Sequence, residues 1–560
     1  MNAPLLNAGI CRLIQFKASA KSRRMLRGFT NPRRVIWSII GLILAILWFS
    51  NALTIVFRQS ADIEQFRKWI PLGLLAYAFW HLIKVAFQRP EEAIEWTSAE
   101  RELLSGGPFQ RWELIIYRLA GVASAGLVKS LLFTVLMLPE LSLFFAAFTG
   151  TFLALIFLDL IRLSVEVTAN GMSNLAYLVL RSTTTLIILV IVVCSLTIAS
   201  NTPVALPTST VGLSLGLMGH IFQSTASLAE TPLGETLIAP FQVFSQLITA
   251  TSYSAATLGW LVIAATMVSG SLVILIRLDQ YFSETIQQRE EAAYPPHPPR
   301  KRQAPDKAKE ASQLVRIPQW YGGGPVAWRQ IVGAFKQRSS LIFALALPGG
   351  LACLPLYVYV DGTQAVLSVA AALVFYTFLL LPSALKFDFR RDIRRMIVLK
   401  TLPIRPIFLV AGQITTPVAL AFVFQLSVLI ITMLTRPYPI WIMVTILVLL
   451  APLNILIFAL DNLVYLLYPY RLNQEGIEIL LRTTLTFTAK GLLFTIALAM
   501  TFAWGFIANF LSRSILHTPS HSAAIFIVGM GLMLCGTSAI LLHGLSLAFQ
   551  YFDPSQDTPA

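Results

Sequence analysis

The sequence predicts an all-α polytopic membrane protein, with about twelve transmembrane helices arranged as two parallel six-helix repeats. Three observations predict it. Hydrophobic residues make up 56% of the 560-residue chain and charged residues only 12%, a balance outside the soluble range. Apolar runs of roughly 18 to 25 residues recur along the whole chain, and in hydrocarbon such a run satisfies its backbone only as a helix. Near the middle, "YPPHPPRKRQAPDKAKEAS" interrupts them; it is too polar to bury a core and reads as a flexible linker.

Taken in order, the expected spans of the first half are Val35–Phe57, Trp69–Phe87, Arg118–Leu138, Leu141–Leu163, Thr183–Ser200 and Thr257–Arg277. Those of the second half are Leu341–Val360, Ala365–Leu385, Ile407–Leu434, Ile440–Leu460, Thr484–Ile507 and Ala523–Ala548. The domain plan is an amphipathic N-terminal segment over 1–34, a first membrane half over 35–278, a linker over 279–322, a second half with its connecting helix over 323–549, and a tail over 550–560.

Charge sets the expected orientation. The formal net charge is +15, which in a soluble chain would suggest nucleic acid. Here the basic residues gather in loops, so no nucleic-acid partner is expected. Arg12, Lys17, Lys21, Arg23, Arg24, Arg27, Arg33 and Arg34 precede the first span, and Lys386, Arg390, Arg391, Arg394, Arg395, Lys400 and Arg405 lie between spans eight and nine. Asn201–Ala256 holds no lysine or arginine. The positive-inside rule then puts both termini and the linker in the cytoplasm of a cell (inner) membrane protein and Asn201–Ala256 outside. Arg58, Arg67 and Lys68 run against it. The basic N-terminus precedes a run too long for a cleaved signal, so a retained anchor is expected. The four cysteines are scattered without metal-ligand spacing, and no disulfide framework is expected.

The halves share an order of span, polar helix, proline turn and span. "LLSGGPFQRWELIIYRLAG" aligns with "IVLKTLPIRPIFLVAGQIT", bringing Pro108 onto Pro403 and Arg111 within one place of Arg405. "YLVLRSTTTL" aligns with "EILLRTTLTF", and Asp159 and Asp461 fall near the ends of spans four and ten.

The segment "EWTSAERELLSGGPFQRWELIIYRL", Glu95–Leu119, is the most helix-capped stretch of the first third. Thr97 and Glu100 fit a capping box that starts a short helix, Ser105-Gly106-Gly107-Pro108 ends it, and Trp112, Leu114, Ile115 and Leu119 form a helical apolar face. "FDFRRDIRRMIVLKTLPIRPIFL" repeats the device, mixing Phe387, Arg390, Arg394 and Leu399 before the break at Thr401-Leu402-Pro403.

The first of these segments resembles the loop between spans two and three of ABC-2-type permeases, in particular the putative ABC exporter group. The residues that carry the likeness are Ser98-Ala99-Glu100, Pro108-Phe109-Gln110-Arg111 and Leu114–Leu119; "GGPVAWRQIVGAFKQRS" is similar to the connecting helix before a first span. Ser105-Gly106-Gly107 departs from the bulkier residues of that pattern. The resemblance implies a permease subunit whose elbows, Thr97–Arg111 and Phe387–Arg405, are coupling helices for two copies of a separate ABC ATPase. ATP and magnesium would reside on that partner. Leu103, Phe109, Ile397 and Leu402 are the candidate apolar anchors, so aspartate at Phe109 and Leu402 together is expected to uncouple the ATPase. Re-entrant helices, expected over Leu213–Phe222 and Thr236–Ile248, follow the fifth span in such exporters.

No cofactor and no catalytic residues are expected in this chain. It has no G-x-x-x-x-G-K-[ST] phosphate loop and no H-E-x-x-H. Gly212-Leu213-Ser214-Leu215-Gly216 fits G-x-S-x-G but lacks the strand and acid partners a nucleophile elbow needs, and small-residue packing explains it better. His81 is expected to be a packing histidine. Charges near spans are Lys84, Lys129, Asp159, Arg162, Glu166, Asp461 and Lys490; Lys129, Asp159 and Asp461 are candidate gate residues, the two aspartates pairing with basic neighbours. Alternative readings are an ion-driven secondary transporter, which would need a mid-membrane carboxylate, and a membrane scaffold. Membrane lipid and a transported substrate of unspecified class complete the expected partners.

Overall fold

Backbone that crosses hydrocarbon must bond to itself, and the computed structural model is helical along most of the long apolar runs among the residues it describes. It describes residues 8–28, 63–90, 109–137, 141–201, 226–293, 320–359, 361–467, 477–515 and 522–553, with scattered positions between them. Among these, ten helices are long and apolar enough to cross a membrane. This is a polytopic helical membrane protein.

The chain divides into two compact units, the first mainly Met1–Pro203 and Ile221–Arg302, the second mainly Gln303–Gln474 and Arg482–Ala560. The first unit holds α1 (Ala8–Gly28), α2 (Ile63–Phe87), α3 (Arg111–Leu136), α4 (Phe144–Gly171), α5 (Asn174–Asn201), α6 (Pro232–Ile248) and α7 (Ala255–Ala293). The second holds α8 (Gly323–Lys336), α9 (Arg338–Cys353), α10 (Gly362–Leu379), α11 (Pro406–Thr435), α12 (Ile440–Leu467), α13 (Ile477–Phe510) and α14 (Ser522–Tyr551), with shorter turns between α9 and α11.

In the first unit α4 is central, packing against α2, α3, α6 and α7. Leu160, Leu163 and Val167 of α4 meet Ile115 of α3 and Leu275 of α7, while Phe157 meets Phe241 and Phe244 of α6. α5 touches α2 and otherwise bares Leu178, Leu186 and Leu189, each about 60% exposed. Aliphatic side chains left open along a whole helix would cluster in water; here they mark a lipid-facing surface.

α6 begins with Thr231 accepting from the Gly234 amide (3.2 Å) and Pro232 in the first turn, the helix-start chemistry its sequence carries. Its 17 residues extend about 26 Å, short of a full crossing. Ser245 of α6 donates to the Arg67 carbonyl, and Arg67 Nε donates to Thr249 (3.1 Å). The basic residue that ran against the charge rule is thus held in a specific contact. The other expected re-entrant stretch, 213–222, lies outside the described residues apart from Gly219.

In the second unit α12 packs on α14 and α11, and α11 on α8. Gly323 and Gly412 let α8 and α11 touch at the backbone: a Cβ on either would sit 2.4 Å from a carbonyl oxygen of the other helix. Across the same contact Thr416 donates to the Ala327 carbonyl (3.1 Å). Gln425 of α11 and Asn454 of α12 exchange amide bonds (2.9 and 2.8 Å), and Gln425 also donates to Thr377 of α10 (3.0 Å). Three buried polar groups are thereby satisfied within the bundle. Between α11 and α12, Tyr438 donates to the Leu429 carbonyl (2.9 Å), and burial raises its phenol above the ordinary value.

Two expected spans differ. Val35–Phe57 is described only in broken pieces, all of them helical and none long enough to show a complete span. Leu341–Val360 breaks: α9 ends at Cys353 and a separate turn, Pro355–Val358, follows, because Pro355 has no amide proton to continue the ladder. Its apolar part, Ser340–Cys353, covers about 20 Å, less than the hydrocarbon thickness. α7 continues to Ala293, into the stretch assigned to the linker, whose residues 294–319 lie outside the described residues.

Candidate functional site

The elbow between α10 and α11 is built from residue alternation. After a turn at Leu381–Ala384, Asp388 accepts from the Arg390 amide (3.0 Å) and starts a short helix, Phe389–Asp392. A 3-10 turn, Ile393–Arg395, and a helix, Met396–Thr401, follow. Phe387, Phe389, Met396 and Leu399 face the core and are buried. Ile397 and Val398 face away, 65% and 61% exposed. The short helix is therefore apolar on two faces, one buried and one uncovered.

Buried charges fasten this elbow to the bundle. Arg390, 5% exposed, donates to Asp388 through Nε (3.0 Å) and Nη2 (2.5 Å), and to Asp461 of α12 through Nη1 (2.5 Å). The other Asp461 oxygen takes Lys490 of α13 at 2.6 Å. Asn462 donates to Asp388 (3.1 Å). Asp392 accepts from Arg329 of α8 and from Gln413 of α11, and Gln330 bonds Gln413. Phe389 stacks on Phe549 of α14 with ring centroids 5.4 Å apart, and Lys400 donates to the Gln550 carbonyl (2.9 Å). Desolvating an ion costs several kcal/mol, roughly, and only close opposite charges and further hydrogen bonds offset it. Two carboxylates, Asp388 and Asp461, meet two cations, Arg390 and Lys490, so that condition is met.

In the first unit, Thr97, Leu103 and Pro108 lie outside the described residues, and so does the capping box assigned to Thr97. Glu100 accepts from Lys17 of α1 (2.8 Å) and from the Tyr117 hydroxyl (3.0 Å), while Lys17 sits 4.2 Å from the Tyr117 ring centre. Ile10 of α1, Leu104 and Tyr117 form a small core, with Phe109 packed at its edge. Glu113 accepts from the Gln110 amide (2.9 Å) and closes the start of α3. Arg111 bonds Asp279 of α7 at 3.0 and 3.2 Å. Arg89 donates to the Ala169, Asn170 and Met172 carbonyls and to Asn174, gathering the last carbonyls of α4 as a C-terminal cation does.

Of the four expected anchors, Ile397 is exposed, Leu402 packs against the second unit's core and Phe109 against α1. Pro403 and Arg405 are exposed on the approach to α11, and the Arg394 side chain lies outside the described residues. Asp159 pairs with Arg162 one turn along its own helix (3.2 Å), and Arg162 also faces Glu166 at 3.9 Å. Lys129 joins neither aspartate; it is exposed on α3 without a partner among the described residues.

Asp388, Asp392, Gln413, Asn462, Glu113 and Asp279 were not singled out from sequence. The signal for Asp388 was present: in "FDFRRD" a carboxylate lies between two phenylalanines at a span end, and all three side chains are buried. Comparison with protein-family models, with curated proteins and with solved structures yields no match.

Proposed function

We propose that this chain is the membrane-spanning permease subunit of an ATP-binding-cassette exporter of the ABC-2 type, powered by a separate ATPase subunit that carries ATP and magnesium. One observation carries the reading. The Met396–Thr401 helix presents Ile397 and Val398 outward while its base is tied by Arg390 to Asp461 and, through Asp461, to Lys490. An uncovered aliphatic pair on a braced elbow suits a partner's groove, and the buried ion cluster makes the elbow and α12–α13 move together. A push on the elbow then tilts spans rather than bending a loop.

A duplicated design belongs to this reading: in each unit an elbow is followed by four spans, Arg111–Leu136, Phe144–Gly171, Asn174–Ser195 and Ala255–Phe282 in the first and Pro406–Thr435, Ile440–Leu467, Thr484–Ser514 and Ser522–Tyr551 in the second. The elbow region also reaches the last helix of its own unit in both, through Arg111 to Asp279 and through Lys400 to Gln550. On this reading two ATPase copies bind, one at each elbow.

The experiment is a double substitution, Ile397→Asp with Val398→Asp. Both side chains are exposed, so the chain is expected to insert and melt as the parent does, while co-purification of an ATP-binding partner and its stimulated hydrolysis fall. Undiminished co-purification would refute the assignment of this face. Aspartate at Phe109 and Leu402 is the poorer test, because both pack inward and their loss would disturb folding.

A further inference from the structure

α10, α12, α13 and α14 surround a cavity of about 550 Å³ midway along their lengths. Ala371 and Phe375 of α10, Leu453 of α12, Phe494 and Ala497 of α13 and Met533 of α14 are among its walls. Thr501 and Thr537, also in the lining, turn their hydroxyls back to the Ala497 and Met533 carbonyls at 2.7 and 2.8 Å. They have no proton left to offer a guest. The volume falls in the range of a small-molecule site.

Three occupants are conceivable, and the geometry separates them. Water needs two to four polar partners, and beyond those two threonines the lining offers one polar side chain, Tyr376, so the cavity does not hold it. A helix is about 10 Å across with its side chains, so the cavity would accommodate little more than one turn of it. A hydrocarbon chain needs apolar walls, a narrow bore and access from the bilayer. Phe375, Phe494 and Leu498 at the lining are each 41–46% exposed, which gives access from the lipid side. One end is closed by chemistry: Asp461 follows Ile457 of the wall by one turn, and Lys490 precedes Leu493 by three residues. That ion cluster is internally balanced, so it stops a chain without attracting a charged headgroup.

We propose that this cavity is a binding site for one acyl chain of a bilayer lipid, recognised by its hydrocarbon and not by its headgroup. The proposal goes beyond the permease reading and does not depend on it.

The test uses the full chain in nanodiscs of phosphatidylcholine doped with a phosphatidylcholine carrying a diazirine in one acyl chain. After illumination, adducts are mapped by mass spectrometry. Expected is labelling of 493–501 and 530–537 about tenfold above the lipid-facing stretch 175–193 of α5, a ratio that a site preference of about 1.4 kcal/mol produces. Ala497→Trp, which fills the bore, is expected to remove that excess, whereas Leu492→Trp, on the exposed face of α13, leaves it. Ala371→Phe supplies a second filling variant from another helix, and the parent chain is expected to retain one lipid through detergent washing. Equal labelling of α5 and the cavity helices would overturn the proposal. So would excess labelling that survives both filling variants, or cross-links from Met533→Cys to a second copy of the chain.

Discussion

Arg390 touches Asp388 on its own elbow and Asp461 on α12 while only 5% exposed. Removing it leaves the buried Asp388 with no cation and only the Asn462 amide and a backbone N–H of its own turn, and leaves Asp461 to Lys490. Arg390→Ala is therefore expected to cost about 3–5 kcal/mol, the usual penalty for an orphaned buried charge. Arg391, next in sequence, is exposed and stacks on the Phe387 ring at 5.3 Å; Arg391→Ala is expected to cost about 1 kcal/mol or less. Thermal unfolding of both variants in one detergent checks the contrast, and equal losses would show that the cluster is not the brace described. The sequence made Asp461 and Lys490 visible as costly charges near spans. It did not pair them with Arg390, which lies 71 residues before Asp461, since no local periodicity reports a contact across that separation. Asp159 shows the reverse: its partner Arg162 stands one helical turn away, a spacing that is legible in sequence.

At the scale of elements, the α8–α11 contact depends on two glycines. Gly412→Leu is expected to push α8 outward, because even a Cβ would lie 2.4 Å from the Gly323 carbonyl oxygen. The measurement is disulfide formation between cysteines placed at Ala327 and Thr416, which should fall sharply; Gly491→Leu, where nothing lies within 4 Å of the added carbon, should leave it intact. Retained cross-linking in the Gly412 variant would mean the helices do not approach as described. The α11 span was legible to within one residue at each end and α12 at its start, because a long apolar run has one structural outcome in hydrocarbon, though α12 runs on seven residues past the expected Leu460 to Leu467. The run at Leu341–Val360 was not, since counting apolar residues does not register that Pro355 breaks the ladder. α8 was expected from the likeness of its sequence to a connecting helix, but its seat on α11 was not, because a glycine contact leaves no periodic trace.

For the molecule as a whole, the proposed permease function rests on mechanical coupling between the Phe387–Arg405 elbow and the spans. Composition made the membrane class plain. The elbow's surface was only partly legible: Leu103, Phe109, Ile397 and Leu402 were equal candidates in sequence, and packing separates three of them, with Ile397 exposed and Phe109 and Leu402 turned inward. If the elbow moves as one piece with α12 and α13, the paired change Arg390→Met with Asp388→Asn, which removes the tie to α12 and leaves Asp461 on Lys490, should keep partner binding at Ile397 but weaken coupling. That result appears as near-normal co-purification of the ATPase with a reduced stimulation of its turnover; parallel loss of both would contradict a transmitting role. The most direct measurement places a photo-cross-linking residue at Val398 in the full chain within its native membrane, in the presence and absence of ATP. The account predicts a cross-link to an ATP-binding polypeptide whose yield changes with nucleotide. A Val398 that cross-links only to lipid or to nothing, with the chain correctly inserted, would contradict it.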